Sequence, residues 1–395
     1  MKCINKPREV ILMYLDNDPF LNLSNSIYNP YIEKWQSSNK KVIGYYCTYI
    51  PEELLHAAGL LPYRIRATGN KDTELADTFM VRFTCSFVRA TLDLALKGGY
   101  DFIDNFLICN SCDHSRRMFE LFDLKVFNRK DFQKKVDRFY ISIPHIISKE
   151  GYSWYLGEVK ELKERIEKAN NLTISDDILK ESINIYTKNR TLLKKLHELR
   201  IQSSPKITGK EALQISMANS SIPKEQANSE LQRISAYLED KAGLDVNLKK
   251  RIMLVGSVVD NVDFLELIEN SGAFIASDFI CFGTRNFHDN PSYDNSLSPL
   301  ENIVKRVYHR ISCPRMMDDH ENRLNFLKDE IERAKIDGVI LQRINNCDLH
   351  GCDNMLFTHE LKDLNIPVLN IDRESYQADT TRLQTRIEAF IEMIK

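Results

Sequence analysis

The sequence lacks a strong charge of either sign and lacks a long apolar run. Lysine and arginine together number 54 and aspartate and glutamate 56, so the formal net charge is −2. This balance gives no bulk electrostatic reason to expect nucleic acid or an anionic membrane surface as a partner. No window approaches the roughly 20 apolar residues that a membrane-spanning helix requires, and the first 18 residues show no long apolar run. We therefore expect a cytoplasmic protein that binds neither nucleic acid nor membrane.

The chain contains nine cysteines. In a cytoplasmic protein they are not expected to form a disulfide framework, because thiol buffers keep cysteine pairs reduced. Metal, cluster or redox chemistry is therefore a candidate role. The alternative is that the free cysteines serve as small buried apolar side chains.

Predicted strands and helices alternate in two separate stretches of the chain. A helix-leaning lead-in over 1–39 precedes the first stretch, 40–150, and a charged helical segment without cysteine covers 151–248. The second alternating stretch covers 249–395. A chain of 395 residues is too long for one ordinary core. This order predicts an α/β protein with two Rossmann- or flavodoxin-like α/β domains and a helical middle segment.

Six cysteines fall where predicted strands end or helices begin: Cys47, Cys85, Cys112, Cys281, Cys313 and Cys347. Open α/β sheets gather ligands in these loops, and the N–H groups of a helix N-terminus favour negative charge. A cluster held by thiolates carries such a charge, and N–H donors to its sulfurs tune its reduction potential. The six positions therefore suit a redox centre.

Spacing alone leaves other interpretations open. Two loose cysteine pairs with nearby histidines are candidates for zinc: Cys109, Cys112, Cys347, Cys352, His114 and His350. A zinc site needs four compactly spaced ligands, and this spacing is only loosely of that kind. A thioredoxin-like dithiol would need an exposed pair at a helix start, whereas Cys109 falls inside a predicted strand. Spacing does not decide between a cluster and inert thiols.

Several motifs, taken in order, resemble one known family. The first runs from Gly44 to Gly59 and contains Cys47-Thr-Tyr-Ile-Pro51-Glu52-Glu53. The others are Thr84-Cys85-Ser-Phe-Val-Arg89, Ser111-Cys112-Asp113 with Arg116-Arg117-Met118, Asp278-Phe-Ile-Cys281-Phe-Gly283-Thr284-Arg285, Asp337-Gly338-Val339-Ile340, and Cys347-Asp348-Leu-His350-Gly351. Together they resemble the 2-hydroxyacyl-CoA dehydratase and class I, ATP-dependent benzoyl-CoA reductase superfamily. The resemblance covers almost the whole chain outside the helical middle.

The resemblance implies one [4Fe–4S] cluster between the two α/β domains, with Cys85, Cys112 and Cys347 as its protein ligands. One iron would lack a protein thiolate and be open to a substrate oxygen. The implied reaction removes water from a 2-hydroxyacyl-CoA through a ketyl radical. The electron would come from a separate iron–sulfur activator protein that uses ATP, in agreement with the lack of a GxxxxGK[ST] loop in this chain. A related second subunit would complete a heterodimer, and no flavin is predicted.

Four further residues have candidate roles. Glu53 matches a position where the family places an acidic residue near the substrate, so it is a candidate catalytic base; the alternative is a first-turn glutamate favoured by the helix dipole. Arg285 and Arg315 are candidates for binding the CoA phosphates or a substrate carboxylate, or for structural ion pairs. His350 either positions a cluster-bound group or is an ordinary loop residue.

Three alternatives remain within this resemblance. The chain is a subunit of an ATP-dependent benzoyl-CoA reductase, or a double-cubane reductase of small molecules, or a scaffold subunit whose sister chain carries the activity. A double cubane is an [8Fe–9S] centre with six cysteine ligands, for which Cys47, Cys281 and Cys313 would be the additional three, and the protein would then be a homodimer. Cys3 and Cys109 are predicted not to bind a cluster.

Overall fold

The computed structural model describes residues 14–132, 134–376 and 380–394, so Cys3 and the first part of the lead-in lie outside the described residues. The described chain forms two separate four-stranded sheets, each with helices packed around it. The predicted α/β class with two α/β units is therefore confirmed.

The first sheet contains strands β1 (Val42–Tyr46), β2 (Leu61–Arg64), β3 (Asn105–Cys109) and β4 (Asp137–Ile141). They run parallel in the order β2-β1-β3-β4. Every residue of β1, β2 and β3 is buried, as is typical of parallel strands covered on both faces. The apolar pattern predicts that β2 reaches Ala67, but the backbone N–H of Ala67 donates to the carboxylate of Asp260 at 2.5 Å and so lies outside the sheet.

The second sheet contains strands β5 (Lys250–Gly256), β6 (Ala273–Phe279), β7 (Gly338–Ile344) and β8 (Val368–Arg373). They run parallel in the order β6-β5-β7-β8, the same topology as the first sheet. In each sheet the second strand along the chain lies on one side of the first strand, and the third and fourth strands lie on the other side. The strand order therefore reverses at the first strand. Open sheets bind ligands at the carboxyl ends of the strands beside this reversal, which here are β1 with β3 and β5 with β7.

The described residues form the α-helices α1 (Pro19–Asn22), α2 (Pro30–Ser37), α3 (Glu52–Ala57), α4 (Ser86–Leu96), α5 (Asp113–Leu121), α6 (Lys149–Asn170), α7 (Asp176–Ile201), α8 (Gly209–Asn219), α9 (Lys224–Glu239), α10 (Val262–Asn270), α11 (Pro299–Tyr308), α12 (His320–Arg333), α13 (Asp348–Asp363) and α14 (Thr380–Met393). Within the described ranges, none of these helices has the length and apolarity needed to cross a membrane.

Capping side chains determine where several helices begin. The order Ser175-Asp-Asp-Ile predicts a cap at the start of α7, and the structure confirms it, because the Ser175 hydroxyl accepts the N–H of the third helical residue. The sequence pattern predicts that the first helix of the middle segment begins at Trp154, but α6 begins at Lys149, because Ser148 caps it in the same way. Helix α13 begins directly after Cys347 instead of at Met355, the start that the apolar pattern predicts.

The helical middle, α6 to α9, packs against both α/β units. Helix α7 contacts α3 on one side and β6 on the other, and α6 contacts both β4 and α11. Leu162 of α6 and Ile183 of α7 belong to one apolar core with Leu54 of α3 and Ile303 of α11. The predicted domain boundaries stay a prediction, since this core is shared across them.

Candidate functional site

One cavity lies between the carboxyl ends of the two sheets, and all six cysteines predicted at strand ends or helix starts line it. Its volume is about 120 Å³. The first sheet contributes Cys47 after β1 and Cys112 after β3, and the second contributes Ser257 after β5 and Cys347 after β7. The reversal points of the two sheets therefore face the same space, and each sheet supplies cysteines to it.

Apolar side chains form most of the remaining wall of this cysteine cavity: Tyr46, Ile65, Phe87, Val88, Val258, Phe282, Ile344 and Leu349. Such a wall excludes water and lowers the local dielectric constant, so any charge placed inside interacts strongly with its neighbours. Two cationic or titratable side chains, Arg64 and His350, also reach the cavity.

Three of the cysteines occupy the same structural position. Cys85, Cys112 and Cys347 are the N-cap residues of α4, α5 and α13. The N–H of Ser115 lies 3.4 Å from the Sγ of Cys112 and donates to it. First-turn N–H groups of the other two helices face the sulfurs of Cys85 and Cys347 and favour their charged forms, but neither sulfur accepts a capping hydrogen bond. Three helix N-termini thus direct N–H donors and positive dipole ends at sulfur atoms in one cavity.

Burial disfavours the charged form of these three thiols. It raises the pKa of Cys85 to about 12 and also raises the pKa of Cys112 and of Cys347. Their mutual proximity adds to the effect, because a second thiolate nearby would repel the first. Coordination to a cationic centre reverses this preference, since metal binding deprotonates a thiol. The N-cap thiols are therefore neutral in these surroundings and would ionise only beside a cationic centre.

The other three cysteines have different surroundings. Cys281 and Cys313 lie beside the buried guanidinium of Arg285, whose Nη2 donates to the Sγ of Cys281. Cys47 has a φ of 92°, an uncommon value for a residue other than glycine. Interaction with the neighbouring Cys109 thiol lowers the pKa of Cys47, whereas burial, followed by the same interaction, raises the pKa of Cys109.

The arrangement does not offer the compact ligand set that zinc requires. Within residues 14–132, 134–376 and 380–394, no three histidine, cysteine, aspartate or glutamate side chains lie close enough together to hold a single metal ion. Cys109 is fully buried in β3 and Cys352 is exposed on α13, and neither lines the cysteine cavity. In each of the two cysteine pairs seen in the sequence, one member lines the cavity and the other does not.

Glu53 lies outside the cysteine cavity. Its carboxylate is buried, and it accepts hydrogen bonds from Nη1 of Arg190 at 2.7 Å and Nη2 of Arg306 at 2.8 Å. The two guanidinium groups outweigh burial and lower the pKa of Glu53 to about 2. With Arg190 and Arg306 it lines a second cavity of about 610 Å³ between α7 and α11. In this arrangement Glu53 is an ionised ion-pair partner, and it would accept a proton only after the arginines move away.

Two other candidate residues have definite positions. Arg315 is fully buried, and it donates to the carbonyl oxygens of Ile143 at 2.8 Å and Pro144 at 2.7 Å, which holds the loop after α11 against the end of β4. His350 lines the cysteine cavity, and burial together with nearby arginines lowers its pKa well below the usual value, so the imidazole is neutral.

Sequence reasoning missed Arg64, Arg190 and Arg306. Arg64 ends β2, lines the cysteine cavity and donates to the carbonyl oxygen of Cys281 at 2.9 Å. Its position at the end of a strand could have indicated that Arg64 lies near the ligand-binding edge of the sheet. Arg190 and Arg306 stand in charged helices, where nothing in the local pattern distinguishes them from solvated residues.

Comparison with known proteins agrees with these features. The family described as 2-hydroxyglutaryl-CoA dehydratase, D-component, matches residues 47–394. The chain is 25% identical over 373 residues to a benzoyl-CoA reductase subunit of Thauera aromatica, covering 92% of this chain and 93% of the relative. It is also 25% identical over 384 residues to the (R)-phenyllactyl-CoA dehydratase beta subunit of Clostridium sporogenes, covering 96% and 100%. Identity to the beta subunit of (R)-2-hydroxyglutaryl-CoA dehydratase of Acidaminococcus fermentans is 21% over 366 residues, covering 92% and 95%. The match along nearly the whole chain confirms the resemblance carried by the cysteine motifs, and the chain belongs to the 2-hydroxyglutaryl-CoA dehydratase D-component family.

Proposed function

We propose that this chain is an iron–sulfur subunit of a 2-hydroxyacyl-CoA dehydratase, which removes water from its acyl-CoA substrate. The observation that supports the proposal most strongly is the position of Cys85, Cys112 and Cys347. Each is the residue directly before the first turn of a helix, and all three line one cavity between two sheets.

The residues present fit a [4Fe–4S] cluster. Soft thiolates are the usual ligands of such clusters, and three of them leave one iron without a protein ligand. When bound, the cluster supplies single-electron chemistry, by which a thioester can pass through a ketyl radical and release a 2-hydroxyl group. Cys85 and Cys112 would hold it from the first α/β unit and Cys347 from the second.

The chain's own residues prepare this site in three ways. The first-turn N–H groups of α4, α5 and α13 stabilise negative charge on sulfur. The apolar wall, including Phe87 and Phe282, keeps water away from a reactive, electron-rich substrate. The neutral imidazole of His350 offers a hydrogen bond at the cavity without adding charge.

We further propose two protein partners. The curated relatives are each named as one subunit of a larger enzyme, and by analogy this chain would pair with a related second subunit. The electron would come from an ATP-dependent iron–sulfur activator protein, since this chain has no GxxxxGK[ST] loop with which to bind ATP itself.

Anaerobic spectroscopy of cysteine variants tests the proposal. We expect Cys85→Ala, Cys112→Ala and Cys347→Ala each to lose the cluster absorption and the electron spin resonance signal of the reduced protein. The matched controls are Cys352→Ala, an exposed cysteine on the same helix that Cys347 caps, and Cys109→Ala. Both controls are expected to keep the cluster. Retention of the signal in the three N-cap variants would contradict the proposal.

A benzoyl-CoA reductase subunit is the second candidate, because the relative of that name is as similar to this chain, at 25% identity, as the phenyllactyl-CoA dehydratase subunit. Product analysis separates the two. A dearomatised ring formed from benzoyl-CoA selects the reductase, and a 2-enoyl-CoA formed from a 2-hydroxyacyl-CoA selects the dehydratase.

A double-cubane reductase is the third candidate, and one observation favours it. Cys47, Cys281 and Cys313 line the same cavity as the three N-cap cysteines, so six thiols are available in one place. An iron content of about eight per chain would select the [8Fe–9S] centre, and about four would select a single cubane. In the eight-iron case we expect a homodimer.

A further inference from the structure

Arg285 is a buried cation without a carboxylate partner. It lies in a short 3₁₀ turn (Thr284–Asn286) and is 1% exposed. Its Nη2 donates to the Sγ of Cys281, whereas its Nε and Nη1 are buried without any hydrogen-bond partner. Throughout the described ranges, no aspartate or glutamate lies within ion-pair distance of this guanidinium. The face of the Phe279 ring lies 5.2 Å away.

The other deeply buried arginines of the chain are satisfied differently. Arg200 and Arg323 each bind a buried aspartate, at 2.6 Å and 2.8 Å. Arg66 and Arg315 donate instead to several backbone carbonyl oxygens. Arg285 has neither arrangement, although it is equally buried.

The surroundings of Arg285 contain sulfur where the other arginines have oxygen. A guanidinium stays charged in a protein, and a buried charge without an anion is strongly unfavourable. The groups beside it that can carry negative charge are Cys281, Cys313 and the Tyr49 hydroxyl, and the two cysteines line the cysteine cavity. The carbonyl oxygen of Arg285 itself accepts from Arg310, which fixes the turn in position.

We propose that Arg285 is a positioning residue that places positive charge behind the wall of the cysteine cavity, and that this charge raises the reduction potential of the iron–sulfur centre held there. The inference rests on the proposed iron–sulfur function. The charge acts through Cys281 across a water-poor wall, where electrostatic interactions are strong. A cation beside an anionic centre stabilises its more negative, reduced form, and so makes reduction easier.

Redox titration of anaerobically prepared protein, followed by electron spin resonance, tests this role. We expect Arg285→Gln to shift the midpoint potential to lower values, because it removes the charge, and Arg285→Lys to retain most of the wild-type potential. The matched control is Arg343→Gln. The guanidinium of Arg343 also lies near a cavity cysteine, Cys347, but it is two-fifths exposed and paired with Asp372, so solvent screens it. We expect no shift in this control.

Iron content of the same samples completes the test. Loss of iron from Arg285→Gln but not from Arg285→Lys would also support the proposal, because it would show that the positive charge at this position is required for cluster binding. The inference is overturned if Arg285→Gln binds the cluster with the wild-type potential, or if the glutamine and lysine variants lose iron equally. Wild-type protein without iron would overturn the proposed function itself.

Discussion

Replacement of Glu53 by glutamine separates its structural role from the proposed role as a base. The substitution keeps the shape of the side chain and removes its charge. It leaves Arg190 and Arg306 facing each other without the carboxylate that now bridges them. Burial and repulsion by Arg306 already lower the pKa of Arg190 to about 10. Without the Glu53 carboxylate, the two buried arginines would repel each other with no anion between them.

The expected destabilisation follows from the pKa of Glu53. The folded protein lowers this pKa from 4.5 to about 2, and at 1.36 kcal/mol per unit the gap corresponds to about 3 kcal/mol of stability at neutral pH. Breaking a buried ion pair by removing one partner costs a similar amount, about 3–5 kcal/mol. Because the folded pKa is the lower one, this stabilisation is fully present above pH 4.5 and is lost as the pH falls through about 2.

Urea unfolding at neutral pH measures the effect directly. We expect the free energy of unfolding of Glu53→Gln to be lower than that of the wild type by about 3 kcal/mol. The matched control is Glu225→Gln, a half-exposed glutamate paired with His56, for which a change within about 0.5 kcal/mol is expected. If Glu53→Gln unfolds at the same urea concentration as the wild type, the structural role is wrong. If it then also loses turnover, the base hypothesis gains support.

Three further outcomes follow from the structure. Arg315→Met should lower the free energy of unfolding by about 3 kcal/mol, because several buried carbonyl oxygens lose their donor; a stable variant with only a raised KM for acyl-CoA would favour the CoA-binding role instead. Gly256→Ala should lower the melting temperature strongly, because φ is 135° and a Cβ would collide with the carbonyl oxygen of Gln342 on β7; an unchanged melting temperature would contradict that geometry. Burial raises the pKa of Glu269 to about 7, above its unfolded value, so the stabilisation is present below pH 4.5 and is lost as the pH rises through about 7. The urea midpoint should therefore fall between about pH 5 and about pH 8, and fall less in Glu269→Gln.

The sheets were predictable from the sequence because each strand is a compact apolar run. The apolar runs from Val42 to Tyr46 and from Gly338 to Ile344 predict two strands, and β1 and β7 have these bounds. Every residue of β1 and all but one residue of β7 are buried, and each run ends sharply. The start of α13 was not predictable from apolar spacing, because its first turns are polar and the residue before it, Cys347, makes no side-chain capping bond. Periodicity detects the buried face of a helix and does not detect its capped end.

Part of the candidate site could likewise be predicted from the sequence, and part of it could not. Parallel sheets place the carboxyl ends of their strands at one edge, so the sequence could predict that Cys47 and Cys112 lie close together. The ion pairs of Glu53 could not be predicted, because Arg190 and Arg306 follow it by 137 and 253 residues. Their meeting depends on how the helical middle packs between the two α/β units, which no local pattern records.

Metal and acid-labile sulfide analysis of the anaerobically purified wild-type chain tests the central claim most directly. The six-cysteine cavity predicts iron and sulfide in similar amounts, with about four irons per chain for a single cubane and about eight for a double cubane. The same analysis of Cys112→Ala should show iron largely lost, and that of Cys352→Ala should match the wild type. A wild-type protein that contains zinc and no iron would contradict the account.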